Sequence, residues 1–402
     1  MKERRMTAHS ERITALQQRL RQRGLAAAFL HLSRDIFYFT GTSQPGWLFV
    51  SPSTFHFFLR SGLDFAQRHC TLPRDRISKK SRFADIAHDC LGEITRDMEI
   101  GAELDVMTVP DYRKIREVLK PAQIVDVSSD ILKQRMSKDA LEIAYIERAA
   151  QALESGHRAA LELWRPGMTE LEASAIVEDG QRRAGHEGVY FVRQTDFTMG
   201  RGPLASGQNR QEMSGVVFTV SGCGLTPAIP VGASHRTIQS GDLVIVDIPT
   251  CVGGYHGDQT RTYCVGQPSQ RTLELHQALL WVSDELISDI SPGMTSGEVF
   301  ERARYHAECA GILDPFLKFS DGSMAHFVGH GVGLDLNEPP FLSRGGEDDI
   351  TAGMVLAIEL HVCDAESGMI KLEDMILVND DHCRLLTLTE RKLISVSAEQ
   401  LF

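Results

Sequence analysis

Two carboxylates, Asp247 and Asp258, sit where a chain folding back on itself would bring them together. Asp247 ends the apolar run Val244-Ile245-Val246, Gly253-Gly254 marks a bend, and Asp258 precedes the alternating Thr260-Arg261-Thr262-Tyr263. Two short strands with a turn between them are the simplest reading of Val244 to Tyr263. The acids are eleven positions apart (258 − 247), one closing the first strand and one opening the second, so the hairpin aims both at one point. Converging buried carboxylates repel each other unless a cation lies between them. For the hairpin alone, two solvated turn residues account for the pattern as well as a metal does.

Residues further along favour the metal. In Ala325-His326-Phe327-Val328-Gly329-His330-Gly331-Val332-Gly333, glycines on both sides of His330 leave room for an ion close to the backbone, which a packed core histidine does not need. Glu359 interrupts the apolar run Gly353–His361, and Glu373 interrupts Met369–Val378. Acids inside apolar strands are costly without a partner. Two Asp, one His and two Glu form a mostly oxygen donor set suited to a pair of divalent ions such as manganese, cobalt or zinc. Four anionic ligands match two dications, with a water or hydroxide between them that is nucleophilic at neutral pH.

The elements that must carry these residues show an internal repeat. Helical periodicity over Asp139–Trp164 leads into Pro166-Gly167-Met168-Thr169 and a second helix over Glu170–Arg183, with Thr169 as its cap. The same order returns as a helix over Thr272–Ile290, then Pro292-Gly293-Met294-Thr295 and another helix, 126 residues on (292 − 166). A pseudo-symmetric pair of halves would draw ligands from both. Upstream, a helix over Ser10–Gly24 precedes strands at Leu25–His31, Ile36–Phe39, Trp47–Val50, Thr54–Leu59, Ile100–Leu104 and Gln123–Val127, with a helix near Pro110–Leu119. This is an α/β unit without a catalytic cluster. The domains expected are 1–135 and 136–402.

Composition bounds the function classes. Lys plus Arg number 42 against 54 for Asp plus Glu, a net charge of −12, which argues against a nucleic-acid partner. No apolar run approaches the length of a membrane span, and the charged first residues lack the apolar core of a signal peptide, so the expectation is a cytoplasmic protein without a membrane partner. Eight cysteines fall in no metal or disulfide spacing and read as reduced thiols. Cys251, inside the hairpin, reads as turn packing.

At this point a resemblance becomes specific. The stretches DIPTCVGGYHGDQTRTY, VGHGVGLD, AIELH and KLEDMILV resemble the pita-bread metallopeptidases of the methionine aminopeptidase, aminopeptidase P, prolidase and creatinase superfamily. HLSRDIFYFTG and IGAELDVMTVPDYRKIREVL resemble the creatinase-type amino-terminal domain of its proline-peptide branch. The resemblance implies an α+β chain: a C-terminal pita-bread domain with a pseudo-twofold repeat, preceded by an α/β, ribonuclease-H-like creatinase domain. It further implies that Asp247 and Asp258 ligate from the hairpin, that His330 and Glu359 complete one metal, and that Asp258 and Glu373 bridge two. Glu359 would handle the proton of a bridging hydroxide, His326 would lie near substrate, and a homodimer is expected, with Phe37–Phe58 contributing to its interface. The activity implied is hydrolysis of small Xaa-Pro peptides.

The departures from that pattern concern substrate contacts. Asn337 stands where proline peptidases carry a second histidine, and Pro230-Val231 where they carry another, with His235 offset nearby. Leu360 replaces a proline after Glu359, and Lys371 replaces an arginine two positions before Glu373. On this reading the changes leave metal binding untouched and weaken stabilisation of the scissile carbonyl and the leaving nitrogen. His256 and His361 read as packing beside the ligands. A non-peptidase of the same fold, a creatinase-like amidinohydrolase or a metal-dependent lyase, is the second reading.

Overall fold

The computed structural model describes residues 2–194, 199, 201–214 and 219–396. The chain divides into two compact units, Met1–Arg135 and Met136–Phe402. In the first, the strands β1 (Ala27–Leu30), β2 (Gly46–Val50), β3 (Phe55–Leu59), β4 (Ile77–Lys79), β5 (Glu99–Ala102) and β6 (Gln123–Asp126) form one mixed sheet. Their order is β4-β3-β2-β1-β5-β6, parallel at β1/β5, β5/β6 and β3/β4. Ile13, Leu16 and Leu20 of the helix Lys2–Arg23 are buried, as their spacing requires. Ile36–Phe39, expected as a strand, is instead part of the helix Ser33–Thr40. Four apolar residues in a row carry no period that separates helix from strand. The feature that decides is Gly41, left-handed at φ 75, whose N–H donates to the Phe37 carbonyl at 2.8 Å and closes the helix.

The second unit is built on the repeat. Its helices Ala140–Leu163 and Glu170–Arg183 are answered by Gln270–Asp289 and Ser296–Cys309. Thr169 and Thr295 cap the second helix of each pair with the same reciprocal box, accepting from the Glu172 and Glu298 amides at 3.2 Å each. The residue before each cap is clamped to the segment leading into the sheet, by Ile238 N–H to Met168 O at 2.8 Å and Ile350 N–H to Met294 O at 2.7 Å. The two clamps are 112 residues apart (350 − 238), and so are Asp247 and Glu359 (359 − 247). Those two acids are therefore equivalent positions of the two halves.

Among the described residues eleven strands complete this unit: β7 (Leu204–Ser206), β8 (Leu243–Val246), β9 (Thr250–Val252), β10 (Tyr255–Gly257), β11 (Arg261–Val265), β12 (Phe327–Gly331), β13 (Glu338–Ser343), β14 (Val355–Asp364), β15 (Gly368–Val378), β16 (Cys383–Leu385) and β17 (Ile394–Val396). They make sheets ordered β17-β11-β8-β7 and β13-β12-β14-β15-β16, with β9 and β10 as a separate ribbon. The first sheet packs on Ala160, Ala173 and Val177 of the first helix pair and on Trp164, just past the end of its first helix. The second packs on Leu275, Leu279, Val282 and Leu286 of the other. Thr262 ties the sheets together, its hydroxyl donating to Lys371 O at 2.8 Å and accepting from Lys371 N–H at 3.1 Å. One line further, Glu373 N–H donates to Thr260 O at 3.1 Å. This seam brings the acids of both halves face to face.

Candidate active site

The expected hairpin is two collinear pairings with a break between them. β8 pairs β11 with Val246 opposite Arg261, and β9 pairs β10 with Val252 opposite Tyr255 across Gly253-Gly254. Both glycines have positive φ, 63 and 82, the geometry of a two-residue turn that suits the strand twist. Asp247 lies just past the end of β8, and Asp258 between β10 and β11. The interruption in pairing is what turns both carboxylates toward the seam.

His330 lies on β12, between β13 and β14. A Cβ at Gly329 would stand 2.0 Å from the Ala357 carbonyl, and one at Gly331 would stand 2.4 Å from that of Pro339. The glycines flanking His330 thus admit close neighbouring backbone. His330 Nδ1 lies 3.1 Å from Gly331 O and donates there, which leaves Nε2 as the nitrogen that faces the acids. Nε2 is 3.6 Å from Asp258 Oδ2 and 3.9 Å from Glu373 Oε1. Glu359 and Glu373 sit directly opposite each other on β14 and β15, and both are buried. Like charges in that register destabilise a sheet unless a cation intervenes.

Two trios of ligand atoms result, Asp258–His330–Glu373 and Asp247–Glu359–Glu373, each drawn together within 4.8 Å. All five sequence-predicted ligands are present in them, with Glu373 shared by both. The trios differ in what they contain. In the first, the separations from His330 are too long for hydrogen bonds and suit two ligands of one ion, which for a tetrahedral site lie roughly 3.4 Å apart. In the second, the Lys371 ammonium lies among the carboxylates, 2.5 Å from Asp247 Oδ2, 2.7 Å from Glu359 Oε1 and 3.6 Å from Glu373 Oε2. The first trio fits a divalent metal; the second already holds a cation. Lys371, expected to leave the metal ligands alone, is the residue that touches most of them.

The electrostatics follow from burial and this one charge. Burial and the neighbouring acid groups push Asp258 and Glu373 well above the usual carboxylate range, and burial raises Asp247 against the pull of Lys371. Burial alone would raise Glu359 too, but Lys371 and His330 hold it below its ordinary value. Burial works against the Lys371 charge, yet Asp247, Glu359 and Glu373 hold its ammonium well above the ordinary lysine range.

Two neighbours that the sequence did not flag position Glu373. The Thr260 hydroxyl donates to Glu373 Oε2 at 2.7 Å. Arg261, 1% exposed, donates to Glu373 O at 2.6 Å and pairs with Asp374 at 2.6 Å. The Thr-Arg-Thr alternation signalled a strand, and nothing in it announced that Arg261 would point inward. His256 is structural: Nδ1 donates to Gly333 O at 3.0 Å and Nε2 accepts from Phe191 N–H at 3.0 Å. His361 is buried against Phe319, and burial lowers its pKa to about 4. Cys251 is buried with its thiol 3.7 Å from Glu187 Oε2, a packing position.

The trios form the floor of a cavity of about 540 Å³. His326 and Asn337 both line it, as do Phe327, Phe341, Pro203 and Pro249. Pro230 and His235 are not among its described lining residues.

The model of metallopeptidase family M24 matches residues 144–380, and that of the creatinase/prolidase N-terminal domain matches residues 12–137. The chain belongs to metallopeptidase family M24. This M24 chain is 29% identical over 296 residues to an uncharacterised peptidase of Bacillus subtilis, spanning 73% of its own length and 74% of the relative's. It is 26% identical over 388 residues to a Xaa-Pro dipeptidase of Pyrococcus furiosus, covering 96% and 99% of the two chains. Among solved structures, the Xaa-Pro dipeptidase from Bacillus anthracis matches with a TM-score of 0.79 at 23% identity, over 96% of this chain and 100% of that one. The prolidase from Pyrococcus horikoshii matches with a TM-score of 0.77 at 23% identity and the same coverage. The fold is thus the pita-bread fold behind a creatinase-type N-terminal domain.

Proposed function

We propose that this M24 chain is a metal-dependent exopeptidase that hydrolyses Xaa-Pro bonds in small peptides. The observation that carries the reading is the convergence of Asp258, His330 and Glu373, with Glu359 beside them, on the floor of a cavity of peptide size. Names of full-length relatives point the same way. Asp258, His330 and Glu373 would hold a divalent cation, with manganese, cobalt and zinc matching the donor set. When bound, it supplies Lewis acidity for the peptide carbonyl and makes a nearby water more acidic.

The chain's own residues do the rest. Glu359, held ionised by Lys371, takes the proton of the attacking water and returns it to the leaving nitrogen. Phe327, Phe341, Pro203 and Pro249 offer apolar walls to a pyrrolidine ring. His326 and Asn337 offer polar contacts to the substrate's carbonyl and terminus. The second ion implied by the resemblance would meet the Lys371 ammonium at Asp247 and Glu359. Among the described residues no helix is long and apolar enough to cross a membrane. A cytoplasmic homodimer completes the proposal, resting on the family resemblance; a monomer by light scattering would remove the dimer.

Asn337 in the cavity, at the place of a family histidine, favours a second reading in which a different small substrate is turned over. A panel of Xaa-Pro dipeptides, Xaa-Pro-Xaa tripeptides and matched Xaa-Ala controls separates the two. Preferential cleavage of the proline peptides supports the proposal, and their length preference distinguishes dipeptidase from aminopeptidase. Indifference to proline, or no cleavage by fully metallated protein, supports the other substrate.

A further inference from the structure

The Lys371 ammonium stands where a second divalent ion would have to be. A transition metal held by Asp247 and Glu359 would lie about 2.1 Å from each ligating oxygen. The Nζ atom, at 2.5 and 2.7 Å from the same two carboxylates, already fills that space. Two cations cannot share it. We infer that this protein carries one divalent ion, at Asp258–His330–Glu373, and that Lys371 replaces the other as a built-in monovalent cation.

Three observations carry the inference, which rests on the metallopeptidase reading above. The Lys371 side chain is 1% exposed, and its backbone is held on both sides, opposite His361 on β14 and by both hydrogen bonds to Thr262. Moving the ammonium out would strip it of three carboxylates inside the protein. Charge balance points the same way. Asp247, Asp258, Glu359 and Glu373, with one ammonium and one dication, leave the cluster one negative charge from neutral. A second dication would set two cations against the Lys371 ammonium within the same cluster. Finally, the trios are unlike: His330 Nε2 and the oxygens of Asp258 and Glu373 are spaced as ligands with, among the described residues, no side-chain cation between them, whereas Asp247 and Glu359 are closed on Nζ. The device gives Glu359 a cationic partner without a second metal and confines metal chemistry to one face of the cluster.

The test counts ions. Full-length protein is stripped with chelator, reloaded with excess manganese, desalted and analysed by mass spectrometry of the metal, with an electron paramagnetic resonance spectrum of the same sample. The expected result is one ion per chain with the spectrum of isolated manganese. Glu359→Gln should keep that ion and His330→Ala should lose it. Lys371→Met should take up a second, magnetically coupled ion; if that variant does not fold, the wild type and the other two variants still decide. Two ions in the wild type would overturn the inference while leaving the peptidase reading intact. An ion lost in Glu359→Gln and kept in His330→Ala would also overturn it. No ion with manganese, cobalt or zinc would overturn both.

Discussion

Replacing Lys371 by methionine should destabilise the metal-free protein and do so less once manganese is added. Methionine keeps the length and apolar stem of lysine, so the change isolates the ammonium. That ammonium contacts Asp247 at 2.5 Å and Glu359 at 2.7 Å, with Glu373 at 3.6 Å, all buried. Removing one partner of a buried ion pair costs roughly 3–5 kcal/mol, because the charge left behind is uncompensated. For a domain of this size each kcal/mol moves the melting temperature by about 2–4 °C, so calorimetry in chelator should show a drop of about 6–20 °C. Manganese at a hundredfold excess over its dissociation constant stabilises each occupied site by about 2.7 kcal/mol. The variant offers two sites and the wild type one, so the gap between them should narrow by about that amount. Equal stability in chelator, or equal gains from manganese, would refute the argument that the ammonium substitutes for an ion.

Other perturbations act on neighbouring residues. Asp258→Ala removes a ligand that His330 and Glu373 need, and metal analysis should find the ion lost together with peptide hydrolysis; full retention of metal would contradict the assignment. Asn337→His restores the imidazole found in proline peptidases at a cavity position, so metal content should not change while turnover of Xaa-Pro substrates rises; a fall in bound metal would show that Asn337 supports the ligands instead. Burial, with Arg261 and Arg391 nearby, lowers the pKa of His276 from 6.5 to about 4. The unfolded chain therefore binds this proton more readily, and the stability the neutral imidazole contributes is present above pH 6.5 and lost as pH falls toward about 4. The loss is about 3 kcal/mol. Denaturant titrations across that window should show the loss in chelator-treated wild type and a shallower slope in His276→Leu; identical slopes would remove His276 from the explanation.

Much of the site was legible because its residues break local rules. Glu359 and Glu373 stand inside apolar strands and His330 between glycines, and each anomaly marked a candidate ligand position, which the fold brings together with the others. The repeat was legible because the Thr169 and Thr295 caps are written in the same residues, and it extends further than the caps, to the equivalence of Asp247 and Glu359. Other features were not legible, for reasons that lie in tertiary structure. A lysine in a strand reads as a residue whose long stem reaches water, and only the alignment of β11 against β15 shows Lys371 aimed inward at three acids. Arg261 is hidden in the same way, since its partner Asp374 lies more than a hundred residues on. Ile36–Phe39 is a helix where a strand is expected, because four apolar residues fit either element and the Gly41 cap carries the information. The single hairpin became two pairings because Asp247 and Asp258 turn out of the ladder to face the ligands.

On the proposed function, this chain would cleave Xaa-Pro peptides with a divalent ion held by Asp258, His330 and Glu373. The most direct test is the rate of Xaa-Pro hydrolysis by chelator-treated protein as manganese, cobalt or zinc is added back, with His330→Ala run alongside. The expected result is no cleavage without metal, recovery that saturates with at least one of the three ions, and no recovery in the variant. Cleavage that persists in chelator, or equal recovery in His330→Ala, would contradict it.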